Sequence, residues 1–282
     1  MSAIFGPAGN SESFSKMGYK HSTQVPEYLV KMGLDAFEYQ CGRGVNIGLD
    51  KAKELGKIAK EHNITLSLHA PYYISMSSIE EEKRLNSVNY ILQSARAVNA
   101  MGGDRIVVHT GSCGKISRIE ALSLAIDTMK LAIKALDEEG LSNIHICPET
   151  MGKVNQLGTL DEVLELCKID ERLIPCIDFG HLNARDLGSL KTYEDFENIF
   201  NSIENALGVD RLRAFHSHFS KIEYTTGGEK RHLTFEDTVF GPNFESVMEL
   251  TYKKNCSPTF ICESAGTQAE DAKTMKDYYM SL

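Results

Sequence analysis

The chain has 282 residues, of which 42% are hydrophobic and 24% charged. That balance excludes a disordered polypeptide, and no apolar run is long enough to span a bilayer. The formal net charge of −9 argues against a nucleic-acid binder that is basic overall. It leaves room for a local basic patch, and an acidic site reads as less acidic once divalent ions fill it.

Short apolar runs alternate with longer amphipathic stretches. Residues 2–5 (SAIF) predict a strand ended by the turn signal GPAGN. Residues 25–32 predict a helix, 36–39 (AFEY) a strand, and 50–62 a helix capped by Asp50. Residues 64–69 (ITLSLH) form the third strand candidate, followed by a long helix over 79–101 that Ser77 and Ser78 introduce. Strand 105–109 (RIVVH) precedes helix 117–139, and strand 144–149 (IHICPE) precedes helix 159–168, capped by Thr159. Strand 174–178 (IPCID) is followed by helix 193–207, and strand 212–218 (LRAFHSH) by helix 243–254. Strand 259–263 (TFICE) and helix 268–280 end the pattern. Eight strand–helix units predict one parallel (β/α)8 barrel spanning 1–282 as a single domain. An open doubly wound sheet fits worse, because no GxGxxG follows the first strand and polar residues end many strands instead of one pair. Roughly 218–242 holds no clear element, and a connection that long inside a compact domain is usually functional.

The seven cysteines, Cys41, Cys113, Cys147, Cys167, Cys176, Cys256 and Cys262, include no CxxC pair, and several lie in apolar runs. They read as buried free thiols of a reducing compartment. The start, MSAIFGPAGN, lacks the basic and apolar regions of a signal peptide. A cytoplasmic monomer with no membrane partner is expected.

The strands end in a pattern. His69 ends the third, His109 the fourth, Glu149 the fifth, Asp178 the sixth, His216 or His218 the seventh, and Glu263 the eighth. One such residue alone is ordinary, as a core histidine or a helix cap. Six of them share the C-terminal rim of a barrel, where active sites of this fold lie. Imidazole with carboxylate suits zinc, manganese or iron. Asp178 and His181 stand three apart across a glycine, so both can face one site, and His232 lies in the long connection after the seventh strand. One zinc uses three or four protein ligands, so this set implies two or three ions, with Glu149 able to bridge. His21, His62 and His145 fall outside it.

At these residues the chain resembles the endonuclease IV family of apurinic/apyrimidinic endonucleases, within the wider xylose-isomerase-like barrels. The segments that carry the resemblance are SLHAPYYISM, VVHTGS, PETMGKVNQLG, CIDFGH and FICES, and it extends over essentially the whole chain. It implies a zinc enzyme that hydrolyses DNA 5′ to an abasic site, with His69, His109, Glu149, Asp178, His181, His232 and Glu263 as ligands and Tyr72 touching the DNA. Arg43, in QCGRGVN, is the candidate for a rim side chain inserted at the lesion. The family's pattern after strand seven is His-Leu-Asn-Asp followed by Asp-Arg-His, whereas this chain has HSHFSK and EKRH. His216 and His218 point the same way from a strand, and the comparison leans to His218. Lys230 stands where the loop Asp belongs; Glu229 replaces it if the pairing shifts by one residue. The alternative reading is a sugar isomerase or epimerase on the same barrel, favoured by the negative charge and the lost Asp.

Overall fold

A computed structural model describes residues 2–282. In chain order its elements are β1 (Ile4–Pro7), α1 (Glu12–Lys16), a 3-10 turn (Ser22–Gln24), α2 (Val25–Met32), β2 (Ala36–Gln40), α3 (Leu49–Glu61), β3 (Thr65–His69), α4 (Glu81–Ala100) and β4 (Arg105–Val108). There follow α5 (Arg118–Glu138), β5 (His145–Pro148), α6 (Leu160–Cys167), β6 (Cys176–Asp178), α7 (Phe179–Arg185), α8 (Tyr193–Leu207), α9 (Val209–Arg213) and β7 (His216–Phe219). The chain ends with β8 (Lys221–Thr225), β9 (Gly228–Leu233), α10 (Glu245–Lys253), β10 (Thr259–Cys262) and α11 (Gln268–Ser281).

Two parallel four-stranded runs, β2-β3-β4-β5 and β1-β10-β7-β6, make the wall. Two seams close it. Ala8 bridges Glu38, and Glu149 bridges Cys176, both in parallel. Eight strands therefore form the barrel that the sequence predicts, and β8 and β9 are an antiparallel hairpin outside it.

Period-two alternation decides what faces inward. On β3, Leu66 and Leu68 join the large apolar layer under the helices, while Ser67 and His69 are buried polar residues on the other face. On β2, Phe37 and Tyr39 pack outward and Glu38 is left inside, fully buried. The interior is thus stacked in layers. His69, Asp178 and His218 lie near the rim, with Ser67, Cys176 and His216 one step beneath, roughly 6.6 Å deeper along the strand.

Several local expectations differ. Helix α3 starts at Leu49 with Gly48 as its N-cap, so Asp50 sits in the first turn, where it meets the helix dipole. Helix α4 starts at Glu81, because the two serines serve the loop instead: Ser77 Oγ donates to Ser112 O at 2.7 Å, and Ser78 Oγ accepts from Glu80 N at 3.1 Å. Ser117 and Thr159 do cap α5 and α6, each in a capping box. The connection after β7 folds as the β8–β9 hairpin, and the short α1 and α9 carry too few residues to show a period. All seven cysteines are buried and free. Among the described residues no helix is long and apolar enough to cross a membrane.

Candidate metal centre

Glu149 is the hub of the rim. It is fully buried and follows the last residue of β5. His69 Nε2 and His109 Nε2 lie 3.4 and 3.0 Å from its Oε2, and His218 Nδ1 and His181 Nδ1 lie 3.0 and 3.4 Å from its Oε1. Donor atoms fall into overlapping sets, each within 4.8 Å: His69, His109, Glu149; then Glu149, Asp178, His218, Glu263; then His181, His232, Glu263. Glu149 and Glu263 each belong to more than one set.

The donor atoms suit divalent ions. Glu149 Oε2 and Asp178 Oδ2 are buried acceptors with no hydrogen bond of acceptable geometry. A buried acceptor left unpaired is costly, and a cation is the partner that removes the cost. The outer ring nitrogens are already engaged. His69 Nδ1 is 2.8 Å from Ala70 O, His181 Nδ1 2.9 Å from Thr150 O, and His232 Nδ1 2.8 Å from Ser220 Oγ. Each contact leaves Nε2 directed at the cluster, as the outer partners of metal-bound histidines do, although His181 Nδ1 also passes 3.3 Å from Asp178 Oδ2.

The same closeness of carboxylates and imidazoles shifts their proton affinities. Burial pushes Glu149 up, but His218 and His109 outweigh it and hold the carboxyl well below its ordinary range. Burial pushes His181 down, yet Asp178 and Glu149 raise it well above an ordinary histidine. Asp178 is raised, because its own burial exceeds the help from His181.

Asp178 and His181 converge through a helix, not a sharp turn. Asp178 is the N-cap of α7, and its Oδ1 accepts from His181 N at 2.7 Å. Capping and the three-residue spacing bring both side chains to one face. His218, not His216, meets Glu149 and Glu263. His216 lies a layer deeper, with Nε2 2.9 Å from Glu38 Oε2.

Hairpin β8–β9 brings in the remaining donors. Glu229 N donates to Gly152 O at 3.0 Å, and Val154 N donates to Gly227 O at 3.1 Å. The two segments approach so closely that a Cβ on Gly228, at φ +87, would stand 2.2 Å from Gly152 O, and one on Gly152 would stand 2.6 Å from Glu229 Cβ. Glu229 consequently hangs over the cluster, with Oε2 3.5 Å from His181 Nε2 and Oε1 3.8 Å from His232 Nε2. Lys230 points away and pairs with Glu223 at 2.5 Å. The pairing explains this. Glu223 opposes Arg231 and Tyr224 opposes Glu229, so Lys230 is the extra residue of a bulge. An extra residue resets the alternation, and positions 229 and 232 then share a face.

Tyr72 forms the lip. Its ring stacks on His109 with centroids 5.2 Å apart, and the residue is 57% exposed. It also packs on the backbone of Gly42, where an added Cβ would stand 2.4 Å from the ring. Arg43, next in that loop, is exposed and outside the donor cluster. A cavity of about 440 Å³ opens above the donors, lined by Tyr72, Met151, Lys153, Gln156 and Glu229 among others.

A model of the xylose isomerase-like TIM barrel matches residues 26–278. The chain belongs to the xylose isomerase-like TIM barrel family. An uncharacterized protein of Methanocaldococcus jannaschii is 34% identical, over 98% of this chain and 96% of its own length. A protein of Aster yellows witches'-broom phytoplasma, named "Probable endonuclease 4", is 30% identical over 75% of this chain and 71% of its own. Solved structures share the fold. A D-tagatose 3-epimerase-like protein superposes with TM-score 0.73 at 20% identity, over 99% of this chain and 97% of that one. Endonuclease IV from Thermus thermophilus gives 0.64 at 14% identity, over 99% of this chain and all of that one.

Within this xylose isomerase-like barrel the sequence reading overlooked Glu38, Lys153 and Gln156. Glu38 was legible: in AFEY the two aromatics claim the outer face, and alternation turns the carboxylate inward. Lys153 and Gln156 sit on the loop after β5, and no period reports where a loop residue points.

Proposed function

We propose that the protein is a metal-dependent phosphodiester hydrolase that incises duplex DNA 5′ to an abasic site, as the endonuclease IV resemblance implies. The observation that carries this reading is the third donor set. His181 and His232 gather at Glu263 beyond the residues that one or two ions need, and Glu229 overhangs both histidines. A sugar isomerase has no use for them.

When bound, two or three transition-metal ions, zinc foremost, would polarise the phosphodiester and make water acidic enough to ionise near neutral pH. Glu149 joins the first two donor sets and fixes their spacing. Glu263 joins the second to the third. Glu229 and His232 close the hairpin side of the cavity, and Tyr72 walls the opposite lip with an aromatic face that a displaced nucleotide can rest on. Arg43 stands on the loop that Tyr72 holds, in reach of DNA outside the donor cluster.

The net charge of −9 favours a second reading, epimerisation of a small polyol. An assay on a duplex with one abasic site, beside an undamaged duplex and a panel of ketoses, separates the two. Strand incision confined to the abasic duplex is expected, and it weakens as salt rises. Tyr72→Ala lowers turnover on that duplex by about 5- to 150-fold, in line with the roughly 1–3 kcal/mol of a base–aromatic stack, and leaves metal content unchanged. Ketose turnover with an intact abasic strand would make the protein an isomerase.

A further inference from the structure

Beneath the rim, four side chains with no role in the cavity meet inside the barrel: Glu38 on β2, Ser67 on β3, Cys176 on β6 and His216 on β7. All four are buried, Glu38, Cys176 and His216 completely. A charged group so far from water needs partners, and Glu38 has several. Ser67 Oγ donates to its Oε2 at 3.0 Å, and His216 Nε2 donates to the same oxygen at 2.9 Å. Its other oxygen, Oε1, stands 2.9 Å from Nε2 of His218.

That last contact sets His218 apart. His69 and His232 turn Nε2 to the cluster and rest Nδ1 on a backbone or hydroxyl oxygen; His181 also turns Nε2 to the cluster, towards Glu229, and its Nδ1 rests on Thr150 O while passing 3.3 Å from Asp178 and 3.4 Å from Glu149. His218 is reversed. Its Nδ1 faces Glu149 Oε1 at 3.0 Å and Glu263 Oε1 at 3.6 Å, while Nε2 points down the barrel to Glu38. An imidazole can present Nδ1 to a metal only with its proton on Nε2, and an acceptor at Nε2 holds that tautomer. Nε2 is buried and makes no hydrogen bond of good geometry. Cys176 Sγ is also close to this edge, but a carboxylate is much the stronger acceptor.

We infer that Glu38 is a positioning residue: a buried carboxylate that, steadied by Ser67 and His216, fixes the tautomer of His218 and increases its basicity toward an ion held with Glu149, Asp178 and Glu263. The inference rests on the metal-centre part of the reading above and not on the identity of the substrate. His216, two residues before the ligand, serves Glu38 and holds no rim ion.

The test is competition titration of metal-free protein with Zn²⁺ against a chromophoric chelator, alongside nitrogen NMR of the His218 ring. The wild type should keep its proton on Nε2 throughout, with Nδ1 exchanging its proton for the metal and shifting as zinc enters. Glu38→Gln keeps the shape and removes the charge. It should weaken one ion by about 10–100-fold, the cost typical of losing an outer-shell partner, and leave the others in place. Glu38→Asp should recover part of the loss, which a mere packing role would not do. If Glu38→Gln destabilises the fold, Ser67→Ala, which removes a single donor to Glu38, should weaken the same ion by a smaller factor. Unchanged zinc affinity and unchanged His218 resonances in folded Glu38→Gln would overturn the inference. So would loss of an additional ion that Cys176→Ser also removes, since Glu38 would then hold metal directly. A wild-type chain that binds no ion at Nδ1 of His218 would overturn the metal-centre reading and this inference together.

Discussion

Glu149→Gln is expected to abolish catalysis, by about 10²–10³-fold or more, the cost of removing one group that stabilises charge at the reacting centre. Four histidine nitrogens lie within 3.4 Å of this one carboxylate. An amide has the same outline but no charge, so it holds two cations poorly at the spacing the chemistry needs. The fold should survive, because glutamine fills the same volume and the backbone bridge to Cys176 is indifferent to the side chain. Activity is measured on the abasic duplex, with circular dichroism as the control for folding. More than about a tenth of wild-type activity would remove Glu149 from its bridging role, because even general acid–base groups are typically worth about 10²-fold.

Glu229→Ala should be the next most damaging change. It removes the carboxylate that overhangs His181 and His232, so one ion per chain should be lost on dialysis and most of the activity with it. Lys230→Ala is the paired control. Its ammonium faces Glu223 on the exposed side of the hairpin, and a surface pair of this kind contributes little. Metal content and turnover should both stay at the wild-type level. The reverse pattern, with Lys230→Ala damaging and Glu229→Ala silent, would mean that a fixed cation fills the third position.

The hairpin also shows where sequence reading stops. Strand-end residues such as His69, His109 and Asp178 were legible because a parallel barrel gives every strand end the same destination. Lys230 against Glu229 was not decidable from spacing. In an unbroken strand positions 230 and 232 share a face, and in this hairpin a bulge gives that face to 229 and 232. His216 and His218 posed a related problem. Both point inward, and only the depth of β7 against Glu149 separates the rim from the layer below. The Asp178–His181 pair was legible as a convergence but not as a helix, because α7 is seven residues long and capped by the candidate ligand itself. The β8–β9 hairpin escaped because EYTTGGEKRH alternates weakly and its register depends on contacts with the loop at Gly152.

Metal content per chain, by elemental analysis of protein purified without chelator, tests the centre most directly. The overlapping donor sets predict two or three transition-metal ions at full loading. Three ions in the wild type falling to two in Glu229→Ala would place the third beneath the hairpin. One ion or none at full occupancy would contradict the account, because Glu149 would then bridge nothing.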